Sequence, residues 1–251
     1  MIHSLKDQVV VITGASAGIG AGLAQEVARR GAKPVLAARR LEQLQAVARL
    51  AGAEAECVVT DVTRREDVLR LRDAALQRFG RIDVWINNAG RGITKPFEQL
   101  GDEDLDAMIR DNVKAALYGM QAVLPHFKDR REGALINVSS MLARAPLATI
   151  RSAYSASKAA LTSLTESLRL ELAHDFPRLY VGTAFPGVVY TDFGNNALHG
   201  GPDSRAIPGG QTVEEVCLAI ADGIEARRAD IYTRPEALES VIGYLRGLAS
   251  A

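Results

Sequence analysis

The chain has 251 residues, 47% of them hydrophobic, with 30 basic and 30 acidic side chains and a formal net charge of zero. That balance lacks the basic excess a nucleic-acid binder needs, and the longest apolar runs fall far short of a bilayer span. Two cysteines (Cys57, Cys217) and four scattered histidines (His3, His126, His174, His199) show neither bridge nor metal-ligand spacing, so no metal is expected. The start lacks a basic-then-apolar signal pattern, and the expected setting is the cytoplasm.

Val9-Val10-Val11-Ile12 reads as a buried strand and runs directly into Thr13-Gly14-Ala15-Ser16-Ala17-Gly18-Ile19-Gly20. Leu23 and Val27 follow at helical spacing, with a stop at Gly31. Lys33 to Ala38 reads as a second strand closed by Arg39-Arg40. Leu41, Leu44, Val47, Ala48 and Ala51 mark a helix that stops at Gly52. Glu56 to Thr60 is the third strand, ending at Asp61. Val68, Leu71, Ala75 and Phe79 mark a third helix, with Gly80 just past its end. Ile82 to Ile86 is the fourth strand, followed by Asn87-Asn88-Ala89-Gly90.

Asp102 to Phe127 carries one long helix, and Ala134 to Val138 a fifth strand that ends at Ser139-Ser140. Ser152 to His174 is a second long helix. Leu179 to Phe185 is the sixth strand, broken by Pro186-Gly187. Tyr190 to Gln211 lacks periodicity and is rich in Gly and Asn, so it reads as a mobile excursion. Thr212 suits the N-cap of a helix through about Ala226. Asp230 to Thr233 is a last strand, with a final helix from Glu236.

Apolar strands alternating with helices predict a parallel sheet covered on both faces and joined by right-handed crossovers. The fold class is α/β, a single doubly wound Rossmann-type domain over residues 1–251 with a mostly parallel seven-stranded sheet. Ligands in such sheets bind at the carboxyl ends of the strands. The unusual polar clusters fall there: residues 13–20, 38–39, 61–62, 87–90, 139–140 and 186–191.

The glycine loop joins a strand to a helix N-terminus, where free N–H groups and the helix dipole attract phosphate. Its Gly-x-x-x-Gly-x-Gly spacing matches the general dinucleotide fingerprint only by analogy, and a tight structural turn is the alternative. A ribose-binding acid usually follows the second strand, yet here stand Ala37-Ala38-Arg39-Arg40. An arginine at that point can pair a 2′-phosphate. The alternative is a solvated pair of arginines opening a helix.

Tyr154 and Lys158, four apart on a helix, share a face. A nearby ammonium favours phenolate and makes a usable general acid/base; an ordinary surface pair is the alternative. Ser155-Ala156-Ser157-Lys158 matches a Ser-x-x-Lys nucleophile pattern, but its companion signatures are absent, as is any Gly-x-Ser-x-Gly elbow.

Thr13-Gly14-x-x-x-Gly18-Ile19-Gly20, Asn87-Asn88-Ala89-Gly90, Asn112, Ser140, Tyr154-x-x-x-Lys158 and Pro186-Gly187 together resemble the ordered motif set of the short-chain dehydrogenases/reductases. The resemblance covers essentially the whole chain. It implies NAD(P)-dependent interconversion of a carbonyl and an alcohol. Tyr154 is then the proton donor, with Lys158 lowering its pKa and holding the nicotinamide ribose. Ser140 bonds the substrate oxygen, and Asn112 joins a proton relay ending at Lys158.

The resemblance also implies that Gly14, Ser16, Gly18, Ile19, Gly20, Arg39 and Arg40 bind the cofactor, with Asp61 and Val62 at the adenine. Asn88, Ala89 and Gly90 line the cleft, and Pro186, Gly187, Val189 and Thr191 adjoin the nicotinamide. Asn87 and Ser139 read as architectural. Ser140 precedes Tyr154 by fourteen residues, about one more than the family commonly has, which suggests a bulge in that loop. Met141, Leu142, Val188, Tyr190 and Phe193 suggest an apolar substrate pocket, and residues 190–211 a substrate lid. The expected cofactor is NADPH (NADP) in preference to NADH (NAD), and the expected assembly a homodimer or homotetramer. The alternatives are an NAD-dependent alcohol dehydrogenase and a non-catalytic dinucleotide-binding sensor or scaffold.

Overall fold

Strand β1 (Val9–Thr13) is buried along its whole length because its side chains alternate between two cores. Val9 and Val11 join Trp85, Leu135 and Val181 on one face of the sheet; Val10 and Ile12 join Leu36, Ile86 and Ile136 on the other. Burial on both faces is why the strands read as unbroken apolar runs. The computed structural model describes residues 3–52 and 54–250.

Strands β2 (Lys33–Ala38), β3 (Glu56–Val59), β4 (Val84–Asn87), β5 (Gly133–Val138), β6 (Leu179–Phe185) and β7 (Asp230–Tyr232) complete a parallel sheet of seven. Its order is β3-β2-β1-β4-β5-β6-β7. One face carries α1 (Gly18–Arg29), α2 (Leu41–Ala51) and α7 (Val213–Glu225), through Leu23, Leu44 and Ile220. The other carries α3 (Arg65–Phe79), α5 (Ala115–Arg130) and α6 (Ser152–Leu172), through Leu71, Val123 and Leu161. Strand order reverses between β1 and β4, and the loops diverging there open a crevice at the carboxyl end of the sheet.

The expected helix over Asp102–Phe127 is three segments: α4 (Asp102–Met108), a π-helical turn at Ile109–Lys114, and α5. Within the turn, Asn112 faces inward and bonds both backbone groups of Arg91, which accounts for the widened turn. Helix α7 starts as expected: Thr212 Oγ1 accepts from Glu215 N at 3.2 Å, and Thr212 N donates to the Glu215 carboxylate at 2.8 Å. A last helix, α8 (Glu236–Ala249), ends the described chain. Elsewhere bounds move by a residue or two; β4 begins at Val84 rather than Ile82, and α6 ends at Leu172.

The 190–211 excursion is irregular, as expected, with one 3₁₀ turn at Ser204–Ala206. It is nonetheless tied down. Parallel bridges join Val189 to Gln211 and Ile93 to Leu198, and His199 Nε2 donates to Asp104 Oδ1 at 2.6 Å. No described helix is long and apolar enough to cross a membrane.

Candidate active site

The loop after β1 and the loop after β4 are stitched together at the crevice. Thr13 Oγ1 accepts from the N–H groups of Asn88 (3.0 Å) and Ala89 (3.2 Å), while Asn88 Nδ2 donates to Thr13 O at 2.9 Å. Gly14, at φ +67°, comes so close that an added Cβ would lie 2.8 Å from Ala89 Cα. Gly18, at φ +54°, opens α1 beneath the Thr191 methyl. A Cβ on Gly20 would overlap the Gly14 carbonyl. Gly20 therefore lets α1 pack closely on its turn, where any side chain would collide.

Helix α1 has alanine at its N-cap, no side-chain cap and no acid in its first turn. Its leading N–H groups and dipole are thus available to an anion. A cleft of about 950 Å³ runs from Gly14, Ser16, Gly18 and Ile19 past Asn88, Ala89 and Gly90 to Ser140, Tyr154 and Lys158. Volume, glycine loop and uncapped helix start all fit a nicotinamide dinucleotide.

At the loop end of the cleft stand Arg39, Arg40, Asp61 and Val62. Arg40 Nη2 donates to Ser16 Oγ at 3.3 Å. Neither arginine pairs with a carboxylate among the described residues, so the two present cationic charge to whatever enters there.

At the other end, α6 places Tyr154 and Lys158 on one face, with Lys158 Nζ 5.8 Å from the centre of the Tyr154 ring. Both are buried, and Lys158 Nζ donates to Val138 O at 2.8 Å. Burial pulls the Lys158 ammonium down to about 8 and pushes the Tyr154 hydroxyl up to about 12. Ser140 and Arg151 pull Tyr154 part-way back. Burial is the largest influence on each group, and Lys158 keeps most of its ammonium charge beside the Tyr154 ring below about pH 8.

Ser140 ends the approach from β5. Its Oγ accepts from Leu142 N at 3.2 Å and caps a 3₁₀ turn at Met141–Ala143, which begins the loop where a bulge was expected. Ser139 turns toward α6: its Oγ donates to Lys158 O at 3.0 Å and lies 2.9 Å from Thr162 Oγ1, an architectural role. Asn87, bonded to Trp85, Asn137 and Ala116, is architectural too.

Asn112 stands behind the wall of the cleft. Its Oδ1 accepts from Arg91 N at 2.8 Å, and its Nδ2 donates to Arg91 O (2.9 Å) and Ser157 Oγ (3.1 Å). Across Gly90 it approaches Lys158: an added Cβ there would lie 2.7 Å from Asn112 Oδ1 and 3.2 Å from Lys158 Nζ.

Pro186, Gly187, Val188, Val189 and Thr191 line the cleft, as do Met141, Leu142 and Phe193. The Phe193 ring lies 5.7 Å from that of Tyr154. Thr191 caps a turn, accepting from Phe193 N at 3.3 Å, and no helix follows it. Tyr190 is the exception among the expected pocket residues. Its ring packs over Gly210, outside the cleft lining.

Sequence reasoning missed Arg91, Arg151, Asp192, Asn196, Ser204 and Ile207, all of which line the cleft. Arg151 had a signal, since it lies three residues before Tyr154 and so on its helical face. The others reach the cleft through the course of irregular loops, which periodicity does not encode.

The sequence model of the short chain dehydrogenases matches residues 8–200. An uncharacterized oxidoreductase of Listeria innocua is 37% identical over 194 residues, 75% of this chain and 77% of that one. A short-chain dehydrogenase from Sphingobium yanoikuyae in complex with NADPH aligns with a TM-score of 0.81 at 33% identity, covering 97% of this chain and 95% of that one. A short chain dehydrogenase/reductase from Burkholderia phymatum in complex with NAD aligns with a TM-score of 0.87 at 27% identity, covering 96% and 94%.

Proposed function

Because this chain belongs to the short-chain dehydrogenase/reductase family, whose members are NAD(P)-dependent oxidoreductases, we propose that it is an NADPH-dependent carbonyl reductase, reversible in principle. The observation that carries this reading is the arrangement of one cleft: Ser140, Tyr154 and Lys158 at one end, and at the other two arginines with no carboxylate partner among the described residues.

Gly14, Ser16, Gly18, Ile19 and the start of α1 hold the pyrophosphate, Asp61 and Val62 the adenine, and Arg39 with Arg40 the 2′-phosphate. Asn88, Ala89, Gly90, Pro186, Gly187, Val189 and Thr191 line the nicotinamide half. The cofactor supplies the hydride for reduction and accepts it for oxidation. Tyr154, held protonated at neutral pH by burial, gives its proton to the carbonyl oxygen as the alcohol forms. Ser140 donates a hydrogen bond to that oxygen. Lys158, which titrates near 8, returns a proton to Tyr154, and Asn112 fixes the Arg91 backbone beside that path. Residues 190–211 act as a lid whose closure excludes water.

One catalytic domain, two unpaired cysteines and balanced charge suit a cytoplasmic enzyme acting on small molecules. Leu105, Leu164 and Leu170, exposed on α4 and α6, suit a homodimer or homotetramer packed on those helices.

The test is NADPH oxidation against a panel of ketones, aldehydes and quinones, with cofactor binding measured in parallel. Tyr154→Phe should keep NADPH binding and lose about 10²–10⁴-fold in turnover. Binding without turnover across the panel would favour the sensor reading, and full activity in Tyr154→Phe would sink the mechanism.

A further inference from the structure

Arg151 stands at the N-terminal end of α6 and lines the catalytic end of the cleft. Its guanidinium lies between glycines on two different loops. A Cβ added at Gly92 would come within 3.2 Å of Arg151 Nη1, and one added at Gly201 within 3.4 Å of Nη2. Phe193 shares the space above Gly92, with its Cε1 3.0 Å from the same point, and its ring is the one that faces Tyr154. The two glycines thus make room for a cation beside the apolar wall of the site.

Among the described residues, no side chain or backbone oxygen accepts from that guanidinium. The hydrogen bonds of Arg151 run through its backbone: its N donates to Ala148 O, and its O accepts from Ser155 N and Ser155 Oγ. Acids that line the cleft are engaged elsewhere, Asp192 with Arg205 at 2.7 Å, Asp111 with Arg110 at 2.8 Å and Asp61 with Thr63. The same corner holds a second donor without an acceptor. Thr94 Oγ1 is buried with no hydrogen-bond partner and would lie 2.7 Å from a Cβ on Gly201. A buried hydroxyl without a partner is costly, and a guanidinium beside it presents parallel N–H groups that match the two oxygens of a carboxylate.

We propose that Arg151 binds a carboxylate on the substrate, so that the substrate class is an oxo acid, or the hydroxy acid formed from it. Its carbonyl meets Ser140 and Tyr154, its carboxylate meets Arg151, and an apolar spacer lies along Phe193. This assignment rests on the carbonyl-reductase reading of the cleft. The reduction balances as for any ketone: the carbonyl carbon gains a hydride from the reduced cofactor, the oxygen gains a proton from Tyr154, and the carboxylate is unchanged.

The test uses paired probes that differ in the carboxylate charge and one methyl group. 3-Oxobutanoate, 4-oxopentanoate, 5-oxohexanoate and 6-oxoheptanoate are compared with their methyl esters, with NADPH or NADH at saturation. The acid-to-ester ratio of kcat/KM should reach about ten- to a hundredfold at one spacer length, the range of a charge-assisted contact. In Arg151→Gln that ratio should fall toward one, and Arg151→Lys should keep part of it. Acids and esters reduced equally well by the wild type at every length would overturn the assignment, as would a ratio unmoved by Arg151→Gln. If neither class is reduced, the reductase reading is decided by the wider panel, and the carboxylate site is judged by calorimetry with the four oxo acids. Binding that disappears in Arg151→Gln supports the site, and no binding to the wild type overturns it.

Discussion

Lys158 carries its ammonium into a site only 3% exposed, where Val138 O accepts at 2.8 Å. Burial lowers it from 10.5 to about 8, so the unfolded chain binds this proton more tightly than the folded one. Between those values the unfolded state holds more protons, and stability rises with pH; the gain is lost as pH falls through the folded value. At about 1.4 kcal/mol per pH unit, the rise from about pH 7.5 to about pH 10 amounts to about 2 kcal/mol. Tyr154 acts in the opposite sense. Its shift from 10.0 to about 12 contributes stability that is complete below 10 and lost as pH climbs toward 12, so the lower window reports the lysine. Urea unfolding of wild type and Lys158→Met, at one protein concentration and at both pH values, isolates the effect because other groups cancel. The difference in unfolding free energy between the two proteins should shift by about 2 kcal/mol in favour of wild type at the higher pH. A difference independent of pH would refute the claim that burial governs this ammonium.

Three further outcomes are expected. Arg39→Asp should reverse the preference for NADPH over NADH by about ten- to a hundredfold in affinity, read by titration with each cofactor; equal affinity of the wild type for both would remove the role of Arg39. Gly20→Ala should lower Tm and weaken cofactor binding, since its methyl has no room against the Gly14 carbonyl; crowding of this kind costs about 1–3 kcal/mol, and an unchanged melting curve would contradict it. Hydrogen exchange should find the Leu198 amide protected with or without ligands, because it donates to Gly92 O at 2.8 Å, while amides on either side of it gain protection once cofactor and substrate are present. Equal protection in both states would refute the lid.

The alternation of apolar runs with helical periods was enough to place seven strands, their parallel pairing and the end of the sheet that carries the cleft. Such patterns are local, and β1 shows why they are legible: a strand buried on both faces has no polar position to hide its identity. The glycine loop and the Tyr154–Lys158 pair were legible for the same reason, because spacing along one element sets which face a side chain takes. What the sequence could not decide depends on neighbours distant in the chain. The break in the Asp102–Phe127 helix comes from Asn112 meeting Arg91, and the carbonyl of Gly14 takes the space a side chain on Gly20 would need. Tyr190 turns onto Gly210, while Arg151 gains its place from Gly92 and Gly201. The proton affinities of Tyr154 and Lys158 were likewise a tertiary matter. Their four-residue spacing placed an ammonium beside a phenol, but how far each is shifted depends on the depth at which the rest of the fold buries them.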